Sequence, residues 1–367
     1  MMTRLKAQII KELLSFWRDP KSRVVLIVPP LLQLFVFSFA ATLNVTNVTL
    51  GVLNDDAGKG SYELIQRLDG APFVARIEYV DRPEALAGLI DRREVIAGIH
   101  FPADFSRNLL NGQRAVAQVI LDGRRANSSQ ITYGYLSQIA AGLGAELAAA
   151  NGAKTPEIAE RHWFNPNLIY RWFVVPSLSG ILAMLIALLV TSLSIARERE
   201  LGTFDQLLVS PARPLEIVIG KAVPAFVLGT LLGCLMISAG ALAFGIPFTG
   251  SVLLLLMSLM LFISSMVGIG LVISSICRTQ QQAILGTFAT TVPFVLISGF
   301  TTPIENMPSW LQVVAAASPL KYYLIIVRGT FLKALPPIDI FANAWPMAVI
   351  AAVTLSAAIV IVRRNLQ

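Results

Sequence analysis

ARERELGTFDQLLVSPARPLEIVIGKAVP, residues 196–224, follows one long apolar run, 172–195, and leads into another, 217–244. Each run is long enough to cross the hydrocarbon core of a bilayer, which takes ~20 helical residues. Between them Arg197, Glu198, Arg199 and Glu200 alternate in sign, and Gly202 loosens the backbone. Ser210-Pro211 and Arg213-Pro214 then enforce a turn. Phe204, Leu207 and Leu208 give a short helix a small apolar face. A segment that only reversed the chain would need none of these features. The stretch reads as a handle, an amphipathic helix held outside a membrane where another protein can grip it.

Composition supports the membrane setting. Hydrophobic residues are 55% of 367 and charged residues 14%, with a mean hydropathy of +0.68, outside the usual soluble range. Apolar runs of spanning length fall at 23–43, 172–196, 217–244, 251–277, 283–300 and 342–362, the fifth interrupted by Pro293. Six spans put both termini on one side. The short loops say which: Arg4, Lys6, Lys11, Arg18, Lys21 and Arg23 crowd the N-terminus, and Arg197, Arg199, Arg213 and Lys221 the handle. Arg278 and Arg363-Arg364 extend the pattern, whereas the loop 245–250 carries no charge. Termini and handle are therefore expected in the cytoplasm and 44–171 outside. The net charge of +7 is largely this orientation signal and gives no reason to invoke nucleic acid. Cys234 and Cys277 read as small apolar residues rather than a disulfide. No cleavable signal peptide is expected, because the first apolar run follows an amphipathic helix and ends without a small-residue cleavage site.

Residues 1–19 read as that helix. Leu5, Ile9, Leu13 and Phe16 form an apolar stripe widened by Ile10, Leu14 and Trp17, opposite Arg4, Gln8, Lys11 and Ser15. Such a helix lies in the membrane interface; packing on the protein itself is the alternative. Pro29-Pro30 predicts a kink in the first span. Residues 44–171 alternate strand and helix signals: strands at 48–54, 74–80, 95–101 and 115–121, helices at 61–68, 83–92, from 103, and at 127–151. That is an α/β domain with a sheet of about four strands. Trp163, Phe164, Tyr170 and Trp172 form an aromatic belt where it returns to the membrane.

Signals of chemistry are weak. Lys59-Gly60-Ser61 lacks the spacing of a phosphate loop, as does Gly220-Lys221. His100 and His162 have no companions at metal-ligand spacing. Asp55, Asp56 and Asp122 follow strand ends, where acids usually cap or turn. No ionisable residue is expected well inside a span, so the membrane part has no visible energy source of its own. Gly229 and Gly233 form a GxxxG that permits close packing, within one chain or between two. Between the last two spans, short proline-initiated helices at 309–317 and 320–333 are too apolar for water and too broken to cross. They read as a re-entrant hairpin, a candidate outer gate with Glu305, Pro308, Trp310, Pro319 and Tyr322, and with Glu305, Lys321 and Arg328 at its mouth. Two helices lying flat in the interface are the alternative.

ARERELGTFDQLLVSP with GKAVP (196–224), ISSICRTQQQA (273–283), and SGFTTPIENMPSWLQ with SPLKYYLIIVRGTFLK (298–333) resemble, in order, the permease subunits of type-2 ABC transporters. GVLNDD, FPADFS (101–106) and LDGRRANSS (121–129) extend the likeness to the bacterial drug-export branch with a large outer domain. The resemblance implies an α-helical polytopic membrane protein of six spans with an inserted α/β extracytoplasmic domain. Its parts would be an interfacial helix (1–21), the first span (22–43), the periplasmic domain (44–171), the remaining spans (172–363) and a cytoplasmic tail (364–367). The handle becomes a coupling helix (197–216) and the hairpin spans 301–340. The resemblance also implies that Glu198, Glu200, Gly202, Thr203, Phe204, Leu207, Ser210 and Pro211 couple to a separate ATPase subunit. That partner binds the ATP and magnesium, leaving this chain without cofactor, metal or catalytic residue. A second permease chain, as homo- or heterodimer, membrane lipids, a periplasmic adaptor and an outer-membrane channel are the further partners. The function implied is export of hydrophobic or amphiphilic compounds, drugs foremost, across the bacterial inner membrane. Lipid or polymer export by the same architecture is the alternative, and a membrane sensor with a ligand-binding outer domain is the rival.

Overall fold

The computed structural model describes residues 2–18, 20–40, 45–150, 163–202 and 214–365. The chain forms two compact units, one of Met1–Ala41 with His162–Gln367 and one of Thr42–Arg161.

The smaller unit is an α/β sandwich. Its strands are β1 (Val48–Asn54), β2 (Val74–Val80), β3 (Ala97–Phe101) and β4 (Gln118–Leu121). They lie in the order β2-β1-β3-β4, with β1 parallel to β2 and β3, and β4 antiparallel to β3. Strand β1, VTLGVLN, is apolar on both faces because both are covered. Connections β1–β2 and β2–β3 run in opposite directions across the sheet. Right-handed crossovers therefore place their helices, α3 (Lys59–Asp69) and α4 (Pro83–Asp91), on opposite faces. Gly51 and Gly98 let Leu86 of α4 close onto the sheet, where a Cβ would come within 2.6 and 2.9 Å of it. Leu50, Val52 and Ile99 join a core with Leu64, Ile65 and Leu68 of α3 and with Leu136 and Leu143 of α6 (Ala126–Ala150).

The N-terminus of α3, the KGS sequence, is capped from a distance. The Ser106 hydroxyl, on the short helix α5 (Phe105–Leu110), accepts from the amides of Gly60 at 2.8 Å and Ser61 at 3.2 Å. It donates to Asp56, which is 6% exposed. Gly58 and Gly60 have no room for a side chain beside Ser106. These amides thus already hold a hydroxyl where a phosphate loop would hold phosphate. Burial works against the Asp56 carboxylate, but hydrogen bonds from Ser106 and Ser61 outweigh it and hold the carboxyl below the usual aspartate range. His100 Nε2 lies 2.8 Å from Asp55 Oδ2, and Asp122 pairs with Arg124 at the turn into α6. Among the described residues no three His, Cys, Asp or Glu side chains gather as a metal site.

The larger unit is a helical polytopic membrane bundle. It begins with α1 (Met2–Arg18) and α2 (Pro20–Ala40). It continues with α7 (Tyr170–Glu200), α8 (Pro214–Phe244), α9 (Val252–Ile276) and α10 (Gln280–Leu296). Helices α11 (Ser309–Ala315), α12 (Pro319–Leu332) and α13 (Pro337–Asn365) complete it. Four of these, α7, α8, α9 and α13, are long and apolar enough to cross a bilayer. The first and fifth expected spans correspond to shorter helices: the apolar part of α2 is Leu26–Ala40, and α10 has 17 residues. Pro29 and Pro30 are accommodated inside α2.

Helix α7 is the centre of the bundle and packs against α2, α8, α9, α10 and α12. Lipid tails are as apolar as leucine, so close contact between small residues has to supply the cohesion. Gly229 faces Ile263 and Ala187, and Gly233 faces Leu259 and Ala183, so the GxxxG is used within the chain. Most hydroxyls in the helices return to a carbonyl one turn back, as Ser177 does to Phe173 and Thr191 to Ala187. A few tie helices together: Ser192 to Thr287 at 2.7 Å, and Ser265 to the Met347 carbonyl at 2.8 Å.

Gly268 sits where α9 meets α13, and an added Cβ would collide with Thr354. Gly268→Leu is expected to cost about 1–3 kcal/mol by overpacking, read as a lowered melting temperature in detergent; unchanged melting would mean that this contact is loose. In the smaller unit, the stabilisation from Asp56 is fully present above the ordinary aspartate range and lost as pH falls through its lower folded-state range. Hydrogen-exchange protection of the Gly60 and Ser61 amides should fall accordingly in acid. Ser106→Ala should lower it already at neutral pH, by about 1–3 kcal/mol; unaltered protection would show that these amides have another partner.

Candidate functional site

At one end of the bundle the ARERE run is pinned residue by residue. Lys221, in the third turn of α8, has a side chain with 0% exposure. An ammonium has three donors and no acceptor, and here it meets three oxygens. Glu198 Oε2 lies at 2.8 Å, Glu12 Oε1 at 3.2 Å and the Ser194 carbonyl at 3.1 Å. One cation thereby joins α1, α7 and α8. Gly220 beside it makes room for Gln8 of α1, which a Cβ would approach to 2.6 Å. Lys11 Nζ adds a weaker contact to Glu198 at 3.5 Å, with Lys11 itself 66% exposed.

The next two residues reach the other neighbours. Arg199 Nη1 donates to the carbonyls of Ser275 at 2.9 Å and Cys277 at 3.1 Å, closing the C-terminus of α9. Glu200 Oε2 accepts from the Gln280 amide at 2.7 Å, the N-terminus of α10. Both signs are right for the helix ends they touch, since free carbonyls attract cations and free amides attract carboxylates. The Ser274 hydroxyl also accepts from the amides of Ile195 and Ala196, one turn earlier on α7. Gly202, at φ +69°, then ends α7 in the left-handed conformation that favours glycine. Glu198, half-buried, and Glu200, exposed, thus belong to a frame at this end of the bundle, and Gly202, also exposed, ends α7 there. Thr203, Phe204, Leu207, Ser210 and Pro211 lie outside the described residues.

At the hairpin, α11 and α12 meet at a bend of 78°. The two halves differ. Helix α11 is exposed, with Trp310 at 69% and Val313 at 74%. Helix α12 is buried against α7, α9 and α13. Tyr323 stacks on Phe262 at 4.3 Å between centroids, with Gly180 against its ring. Pro308 and Pro319 open the two helices. The Tyr322 hydroxyl donates to the Ala316 carbonyl at 2.9 Å, and Glu305 is exposed.

One sequence-based expectation needs correction here. Lys221 is not an exposed charge of the handle, because α8 begins at Pro214 and carries it inside the helix packing. Arg328 is half-buried, and its Nη1 donates to the Gly299 carbonyl at 3.4 Å just before the hairpin segment. Its Nε donates to Ser177 Oγ of α7 at 2.7 Å and its guanidinium lies 4.1 Å from the Phe173 ring centroid. Ionisable groups therefore do occur inside the helical packing, each tying neighbouring helices together. The signal for Lys221 was present in Glu12, the one acid on a helix otherwise rich in cations, but sequence spacing cannot pair positions so far apart.

If the Lys221 cluster holds α1, α7 and α8 together, Lys221→Met should destabilise by about 3–5 kcal/mol, because it leaves two carboxylates without their cation. Adding Glu198→Gln to Lys221→Met should recover part of the loss. A double-mutant cycle in melting free energy should return a coupling of about 0.5–3 kcal/mol; a coupling of zero would remove the pair from the frame.

A family model described as "ABC-2 family transporter protein" matches residues 22–360. The chain is 43% identical over 370 aligned positions, covering 100% of each chain, to "Probable multidrug ABC transporter permease YbhR" of Escherichia coli K12. It is 29% identical over 345 positions, covering 93% of this chain and 91% of the other, to "Probable multidrug ABC transporter permease YbhS" of the same organism. To "Inner membrane transport permease YhhJ", also from that organism, it is 28% identical over 336 positions, with 86% of each covered. A polytopic helical bundle, a charged stretch framed between two of its long helices, and a family match along nearly the whole length agree: the chain belongs to the ABC-2 transporter family, among its permeases.

Proposed function

We propose that this chain is the membrane permease subunit of an ATP-driven exporter in the bacterial inner membrane, moving hydrophobic or amphiphilic compounds outward, drugs foremost. The observation that carries the coupling part of this reading is the frame around Lys221. In sequence, residues 203–213 join α7 to α8, and at that end of the bundle α1, α7, α8, α9 and α10 are tied by ion pairs and helix-end contacts. In this reading a push delivered there reaches α7, α8, α9 and α10 through those contacts.

In this reading Glu198, Glu200 and Gly202 set the position of the handle. Thr203, Phe204, Leu207, Ser210 and Pro211 form its docking face on a separate ATPase subunit, which binds ATP and magnesium. A second permease chain completes the translocation path, and the hairpin, with Glu305, Pro308, Trp310, Pro319 and Tyr322, is its outer gate. The distribution of cations supports six spans with both termini cytoplasmic and the α/β unit in the periplasm, where an adaptor and outer-membrane channel could engage it. The names carried by the relatives support drugs as cargo.

Phe204→Lys and Leu207→Lys test the docking face without touching the frame. Each is expected to leave the permease folded while the ATPase no longer co-purifies, or no longer hydrolyses ATP faster when substrate is added. Normal association and normal transport in both variants would remove the handle from the mechanism.

A further inference from the structure

Helices α1 and α8 touch near Lys221 and then part. Beyond that contact a groove of about 350 Å³ opens between them. One wall is Ile10, Leu13, Leu14 and Trp17, spaced as a single face of α1; the other includes Leu228 and Leu231 of α8. Trp17 is 67% exposed and Leu231 62% exposed. Its lining is aliphatic apart from the Trp17 ring, which also marks one end. The Arg23 guanidinium lies over that ring, 5.7 Å from the centroid. Arg23 as a whole is half-buried, and its Nε is buried with no hydrogen-bond partner among the described residues. Of its nitrogens only Nε is closed off in this way, so the outer two are the ones a ligand acceptor could meet.

We propose that this groove binds one acyl chain of an anionic glycerophospholipid, with the headgroup phosphate against Arg23. The groove suits a hydrocarbon chain because it offers almost nothing to a polar group, and a phosphodiester is the acceptor a guanidinium holds best. Charge complementarity selects the anionic class: residues 1–23 carry six cations against two carboxylates, and each basic group near a membrane surface adds to the attraction for acidic lipid. The lipid would wedge α1 against α8 beside the Glu12–Lys221 contact and so set the pose of a helix that belongs to the handle's frame. Only the placement of α8 in a bilayer is assumed, and the proposal stands whatever the cargo or direction of transport.

The test is lipid retention by the full-length purified permease, measured by native mass spectrometry after exchange into phosphatidylglycerol or phosphatidylethanolamine. The native chain should retain phosphatidylglycerol in preference to phosphatidylethanolamine. Arg23→Gln should lower that preference about fivefold, while Arg23→Lys, which keeps the charge, should largely preserve it. Leu231→Trp should fill the groove and reduce retention of both lipids. Arg363→Gln, which removes an exposed cation on α13, should change neither. Equal losses from Arg23→Gln and Arg363→Gln would mean diffuse attraction and no built site. Native-like retention by Leu231→Trp, or a native preference in Arg23→Gln, would equally overturn the proposal.

Discussion

An ammonium buried among hydrocarbon has to be neutralised and hydrogen-bonded, or it costs several kcal/mol. Lys221 meets that demand with Glu198, Glu12 and the Ser194 carbonyl, and each oxygen comes from α7 or α1 while the nitrogen comes from α8. Polar contacts of this kind are directional, unlike packing between apolar helices. They fix the rotation and height of three helices at one end of the bundle. Arg199 and Glu200 extend the same logic to α9 and α10, using unsatisfied helix ends as partners. The alternating charges are the fastening of that end.

The body of the bundle is held differently. Small residues on α7 and α8 allow backbones to approach, and most hydroxyls are spent on their own helices. Such interfaces are smooth and permit adjustment. At the hairpin a second set of specific contacts appears, with Tyr323 stacked on Phe262 and packed against Gly180, and Arg328 reaching Ser177 and Phe173. Helix α7 therefore carries directional fastenings near both ends and close, weakly polar packing between them. A long helix fixed in this way is suited to pass displacement along its length.

Much of the architecture was legible from residue order. The strands of the α/β unit appear in the sequence as β-branched runs, and β1 and β2 occupy 48–54 and 74–80 as the patterning predicts. The long apolar runs yielded the four long helices, and Gly202 and Pro214 mark the ends of α7 and α8. The aspartates after the strands of the α/β unit read locally as turns and caps, and Asp122 with Arg124 behaves so. The outer pair of helices could also be recognised from its prolines, although only packing distinguishes the buried α12 from the exposed α11.

By itself the sequence determined the class of molecule and the periodicity of its elements, because those depend on neighbours within a few residues. Tertiary structure alone decided that Lys221 and Arg328 are internal ties, that Ser106 caps α3, and that the GxxxG is consumed within one chain. The physical reason is common to all of them. Whether a charge, a hydroxyl or a glycine is exposed or engaged depends on atoms brought alongside from distant parts of the chain, and local spacing carries no record of that meeting.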